Sequence, residues 1–127
     1  MDHEEQLNFV TAYWRVIKSL IPDAFITPTT KNYMVLKSMG VYALNWLATD
    51  VFEWCNNEGI DADDKTIKRF IEPLKSFDWT KKNSPLAAFG GLKGVRESYK
   101  LLIGHLKKHG MAKAGATLAK LEKEDEA

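Results

Sequence analysis

The sequence predicts an all-α fold, a single compact bundle of about four to five helices with one long Gly/basic loop before the last main helix. Three observations carry this. Apolar residues recur with a helical period in several separate windows. Pro22, Gly59, Pro73 and Gly110 fall where those windows stop. No two runs alternate as paired strands do, and no internal repeat is present. At 127 residues the chain matches the commonest domain size, so one helical domain is expected over residues 1–110. Residues 111–127 read as a charged, weakly helical tail.

The first helix is expected from Glu4 to Leu20. Phe9, Val10, Tyr13, Trp14, Ile17 and Leu20 share one side of its wheel, opposite Asn8, Thr11, Arg15 and Lys18. Pro22 ends it, because the residue before a proline avoids the helical region. After a linker over Asp23–Thr30, Thr29 or Thr30 is placed to cap a short helix, Lys31–Ser38, that Gly40 stops. A long helix over Val41–Asn57 follows. Its stripe of Val41, Leu44, Leu47, Ala48, Val51, Phe52 and Cys55 is joined by Tyr42 and Trp46 on the other side. That pattern predicts a central helix covered on two sides, closed by Gly59. Asp61, Asp63 and Asp64 suit the cap and first turn of the next helix, whose buried face is Ile67, Phe70, Ile71 and Leu74. Pro73 ends or kinks it near Glu72. Residues 77–94 read as a long irregular connection, and Leu92–His109 as the last strong helix, with Leu92, Val95, Tyr99, Leu102 and Leu106 as its seam and Gly110 as its stop.

Composition excludes several classes. Hydrophobic residues make up 45% of the chain, enough for a core and too many for a disordered segment. No apolar run approaches the roughly 20 residues that span a bilayer, so no membrane partner is expected. The acidic start, Met1-Asp2-His3-Glu4-Glu5, does not fit the basic n-region of a signal peptide. Cys55, the single cysteine, has no internal partner for a disulfide and fits a cytoplasmic protein, as a small core residue.

Net charge is only +1, but it is unevenly spread: residues 1–78 carry −4, residues 79–120 carry +8, and the last seven carry −3. A basic segment of this kind attracts phosphate or an acidic partner. The candidate site is the join of the glycine loop and the last helix, where backbone N–H groups and a helix start favour an anion. Lys93, Arg96, Lys100 and Lys107 lie within about 60° of one another on the wheel, at 100° per residue. Lys81 and Lys82 extend the stripe. The glycine spacing matches neither a phosphate-binding P-loop nor a dinucleotide fingerprint, and a tight turn beside a solvated face accounts for it as well. Trp79, inside the basic loop, is placed to stack on a nucleobase.

Catalysis is not indicated. Ser84 and Ser98 lie in no nucleophile pattern, and the acidic residues around Asp61 lack the glycine and terminal glutamate of a calcium loop. His105 and His109 share a helix face at metal-ligand spacing, but Lys107 and Lys108 between them repel a cation, and no further ligands follow. They are expected to complement the negative end of the helix. No catalytic residue, metal or cofactor is expected.

Two stretches carry a family resemblance. Lys31-Asn32-Tyr33 through Gly40-Val41-Tyr42-Ala43-Leu44 is one, and Phe77-Asp78-Trp79-Thr80-Lys81-Lys82-Asn83-Ser84-Pro85 with the Gly90-Gly91-Leu92-Lys93-Gly94 turn is the other. Together, over roughly residues 30–105, they resemble the C-terminal region of DGQHR-domain proteins, a family that includes the DndB-type component of bacterial DNA phosphorothioation systems. The resemblance implies a bacterial or phage cytoplasmic protein tied to DNA modification, defence or its transcriptional control. Asp78, Trp79, Lys81, Asn83, Gly90, Gly91 and Gly94 are the matching positions. The family's Asp-Gly-Gln-His-Arg segment, part of a ParB-like N-terminal half, is absent from this chain, so activity resting on that half does not carry over. The leading expectation is a non-enzymatic module that contacts DNA through Trp79, Lys81, Lys82, Asn83, Gly90, Gly91, Lys93, Gly94, Arg96 and Lys100. The alternative is a packing module that docks on a ParB-like N-terminal domain or another protein subunit, motivated by the two-sided helix. An enzyme acting on nucleotides at the glycine turn is the least supported.

Overall fold

The computed structural model describes residues 3–26, 29–81, 83–88 and 91–110. Among them are four α-helices and no strand: α1 (His3–Leu20), α2 (Ser38–Glu58), α3 (Asp64–Ile71) and α4 (Gly91–Lys108). The expected all-α bundle is what the chain forms. The tail over 111–127 lies outside the described residues.

Helix α1 begins with Glu4 and Glu5 in its first turn, where carboxylates favour the positive end of the helix, and buries Phe9, Tyr13, Val16, Ile17 and Leu20. Pro22 then tightens the chain into a 3₁₀ turn, Pro22–Phe25. Helix α2 ends as expected at Gly59, whose φ of 67° is left-handed and cheap only for glycine. Asp63 caps α3, its Oδ1 accepting from the Thr66 N–H at 2.9 Å. That bond holds the carboxyl below its ordinary range. Arg15 forks onto Asp64 with contacts of 2.6 and 2.7 Å and so ties α1 to the start of α3. The pair is exposed and adds little stability. Pro73 lacks the N–H to continue α3, which ends at Ile71 before a 3₁₀ turn over Glu72–Ser76.

Helix α2 packs most extensively on α4, and α1 on α3, around a core that includes Tyr13, Ile17, Leu44, Leu47, Ile67, Leu74, Leu86 and Leu102. Cys55 is in that core, and so are Val95, Tyr99, Leu102 and Leu106 of the expected α4 seam, while the side chain of its fifth member, Leu92, lies outside those described. Tyr13 reaches across from α1 and donates its hydroxyl to the Leu44 carbonyl at 2.6 Å.

Three expectations need correction. Lys31–Ser38 is not a helix: a 3₁₀ turn over Thr29–Asn32 leads into an antiparallel bridge between Tyr33 and Thr80. The Met34 N–H donates to the Trp79 carbonyl and the Lys81 N–H to the Asn32 carbonyl, both at 2.6 Å. Once these groups pair across the chain, local helical bonds lose their partners. Gly40 stops nothing. It lies in the first turn of α2, buried against the Met34 carbonyl. Finally, α2 is covered on one broad side only. Tyr42 and Trp46 on its other side are 55% and 41% exposed.

Candidate nucleic-acid interface

The connection between α3 and α4 is built from short local bonds. Asp78 Oδ1 accepts from both the Thr80 N–H at 3.0 Å and the Thr80 hydroxyl at 2.7 Å. The hydroxyl bond first, then the N–H, holds the Asp78 carboxyl below its usual range. The Ser84 N–H donates to the Thr80 carbonyl at 2.8 Å, and Ser84 Oγ accepts from the Leu86 N–H at 3.2 Å. Buried Ser84 is therefore a turn residue with its oxygen engaged. A single 3₁₀ turn, Pro85–Ala88, sets Leu86 into the core.

This scaffold sorts the candidate residues. Lys81 and Asn83 are exposed on the turn, and Lys93 and Lys107 are exposed on α4. Lys82 and Gly90 lie outside the described residues. Gly91 opens α4, and Gly94 is buried within its first turns. Arg96 is half-buried, and Lys100 keeps only 20% of its side chain exposed, with Nζ 4.0 Å from Glu97 Oε1. The stripe on α4 is thus a row with exposed ends and a partly embedded middle. Trp79 departs furthest from expectation. It is 3% exposed, its indole N–H donates to the Leu74 carbonyl at 2.8 Å, and its ring centroid lies 4.8 Å from that of Phe77. A ring enclosed in this way offers no face to a nucleobase.

The two stretches that carry the family resemblance meet in space. The Tyr33–Thr80 bridge joins them, and Lys31 and Lys81 at one end of it are exposed. Periodicity could not reveal this pairing, because a single bridge between two irregular segments has no repeat to detect.

His105 also differs from expectation. Its Nε2 lies 2.8 Å from the Pro73 carbonyl and 3.0 Å from Ser76 Oγ, and its ring stacks on His109 with centroids 4.3 Å apart. A carbonyl only accepts, so Nε2 carries the hydrogen. Burial chiefly, with the neighbouring His109 and Lys108, lowers the His105 pKa from 6.5, against the rise the Pro73 contact favours. This lowering works against the cationic role expected of His105 at the helix end. No group of three metal-ligating side chains occurs among the described residues. The linkage has a definite sign. The unfolded chain takes up this proton first as pH falls, so the contribution is complete above pH 6.5 and is lost as pH falls from there toward the folded value. Thermal melts from pH 7.5 to 5 are expected to show a fall of a few degrees that His105→Gln abolishes. Asp63, Asp64 and Asp78 are held low, so their loss enters only below about pH 4 and stays separate. A fall of equal size in the variant would count against this assignment.

No helix among the described residues is long and apolar enough to cross a membrane. Comparison of the chain with known protein families, with curated proteins and with solved structures finds no match in any of the three.

Proposed function

We propose that this chain is a non-enzymatic helical module that meets DNA phosphate through the turn after Trp79 and the outer face of α4. One observation carries the reading. Glu97 is the only acid in residues 79–110 and lies beside Lys100, while Asp78 is engaged within its turn. Lys81, Lys93, Lys107 and Lys108 are left exposed, with no ion pair among the described residues. The resemblance to DGQHR-domain proteins supplies the proposed setting: DNA modification or defence in a bacterial or phage cytoplasm.

The test is anisotropy of a labelled duplex titrated with the chain at several salt concentrations. Log affinity is expected to fall linearly with log salt, and each contacting lysine contributes a slope of about −0.9. Combining Lys81→Gln, Lys93→Gln and Lys107→Gln is expected to flatten the slope by roughly two to three units while the melt stays unchanged, since all three side chains are exposed. An unchanged slope, or no binding at low salt, would remove the reading.

A second reading is favoured by a separate observation, the exposure of Tyr42 and Trp46 along α2. Aromatic side chains left in water on a helix face suit a protein partner, whether a ParB-like N-terminal half or another subunit. Sedimentation that shows a concentration-dependent complex, weakened by Trp46→Ser, is the result expected of it.

A further inference from the structure

Helices α1 and α2 meet closely at one place. Tyr13 bonds the Leu44 carbonyl there, and the Trp14 indole donates to Asn45 Oδ1 at 3.0 Å. Toward the start of α1 and the end of α2 the two helices are bridged by Phe9 and Phe52, edge to face with centroids 5.1 Å apart. An open groove of about 660 Å³ runs beside that pair. Phe9, Val10, Ala48 and Phe52 supply its apolar lining, and Asn45, Thr49 and Glu53 its polar edge. Val10 is 44% exposed and its neighbour Leu7 is 60% exposed, so the apolar surface continues out of the groove onto α1.

The charge around this groove has one sign. Helix α2 has no lysine or arginine in its 21 residues; of its carboxylates Glu53 lines the groove, while Asp50 turns toward α4 and accepts from the Tyr99 hydroxyl. Glu4 and Glu5 stand in the first turn of α1. A shallower hollow on the other flank of Phe9 adds Asp61, Asp63 and Asp64, with Arg15 its only cation and that one engaged by Asp64. An apolar trough between two helices, edged by Glu53, with the acidic hollow beside it and no lysine or arginine in its own lining, is complementary to a helix with an apolar stripe and basic flanks.

We infer that the α1–α2 groove is a docking site for a basic amphipathic helix of a partner protein. The inference rests on the reading of this chain as a protein-docking module, extends it from Tyr42 and Trp46 to the groove beside them on α2, and is independent of DNA binding through the basic turn and α4. In the bound state the partner's apolar side chains lie against Val10, Ala48 and Phe52. Its lysines or arginines face Glu53 and the acidic start of α1.

The probe is a labelled synthetic 14-residue helix with leucine at helical spacing and lysine elsewhere, titrated into the full chain beside a scrambled peptide of the same composition. Saturable binding of the helix at micromolar concentration is expected, with the scramble at least tenfold weaker because it lacks a stripe. Val10→Asp and Glu53→Lys, both at exposed positions, are each expected to weaken binding about tenfold without lowering the melt. Equal affinity for the scramble, or no effect of either substitution, would overturn the site, since charge alone then explains the binding. A dimer by sedimentation that Val10→Asp dissolves would also overturn it in favour of a second copy of this chain, while leaving the docking reading intact. If neither peptide nor self-association is seen, the docking reading fails together with it.

Discussion

Gly40→Ala is expected to destabilise the fold by about 3 kcal/mol, although helix propensity alone favours alanine by roughly 1 kcal/mol. The reversal comes from backbone packing. Gly40 sits in the first turn of α2, and a Cβ there would press on the Met34 carbonyl oxygen well inside contact distance. It would also approach the Met34 carbonyl carbon to 2.8 Å and the Val35 oxygen to 3.0 Å. These are backbone atoms in a turn held at both ends. The Met34 N–H is bonded to the Trp79 carbonyl, and the Met34 oxygen accepts the Lys37 N–H at 3.1 Å. Relief of the clash must shift the turn, and shifting the turn strains the Tyr33–Thr80 bridge. Urea unfolding of the variant is expected to show a lowered midpoint with an unchanged slope. An alanine variant as stable as the parent would mean that the 33–37 turn does not lie against α2 as described.

That example shows where the sequence was legible and where it was not. The long helices announce themselves, because each has an amphipathic wheel and a stop residue that works by local sterics. Pro22, Gly59 and Gly110 act within their own turns, and Gly59 and Gly110 do adopt positive φ. Asp63 likewise caps its helix through a bond three residues long. Gly40 misleads because its role is a contact with a carbonyl six residues earlier, which composition cannot distinguish from a helix stop. Lys31–Ser38 misleads because its backbone groups are claimed from 45 and 49 residues away in sequence, by Trp79 and Lys81. For the candidate site, the basic character of residues 79–108 was plain, but burial decides which cations face outward. Arg96 and Lys100 lie on the wheel beside Lys93, yet they sit nearer the body of the protein than Lys93 does. The two-sided apolar pattern of α2 is present in the sequence, but the cover it predicts on both sides is not. Tyr42 on that second side is 55% exposed, and Trp46, though its ring meets Tyr99 of α4 edge to face, is still 41% exposed.

Trp79→Ala is expected to cost about 3–5 kcal/mol, the usual price of emptying a buried tryptophan site. That is a large share of the roughly 5–15 kcal/mol that holds a domain together. The residue links three parts of the fold at once. Its ring packs on Phe77, its indole N–H bonds the Leu74 carbonyl after α3, and its own carbonyl receives the Met34 N–H before α2. The alanine variant alone does not separate packing from base stacking, since a partly unfolded chain also binds DNA poorly. Trp79→Phe makes the separation. It keeps an aromatic ring but removes the indole's second ring and its N–H, so some buried packing is lost and the Leu74 carbonyl loses that donor at a cost of about 1–3 kcal/mol. The Phe77 N–H, 3.2 Å from the same oxygen, offsets part of this loss. A lowered melt with unchanged DNA affinity and salt slope is the expected result, because the basic residues proposed to meet phosphate remain where they were. Loss of DNA affinity in a fully folded Trp79→Phe variant would show instead that the indole reaches the nucleic acid, and the turn would have to open to let it do so.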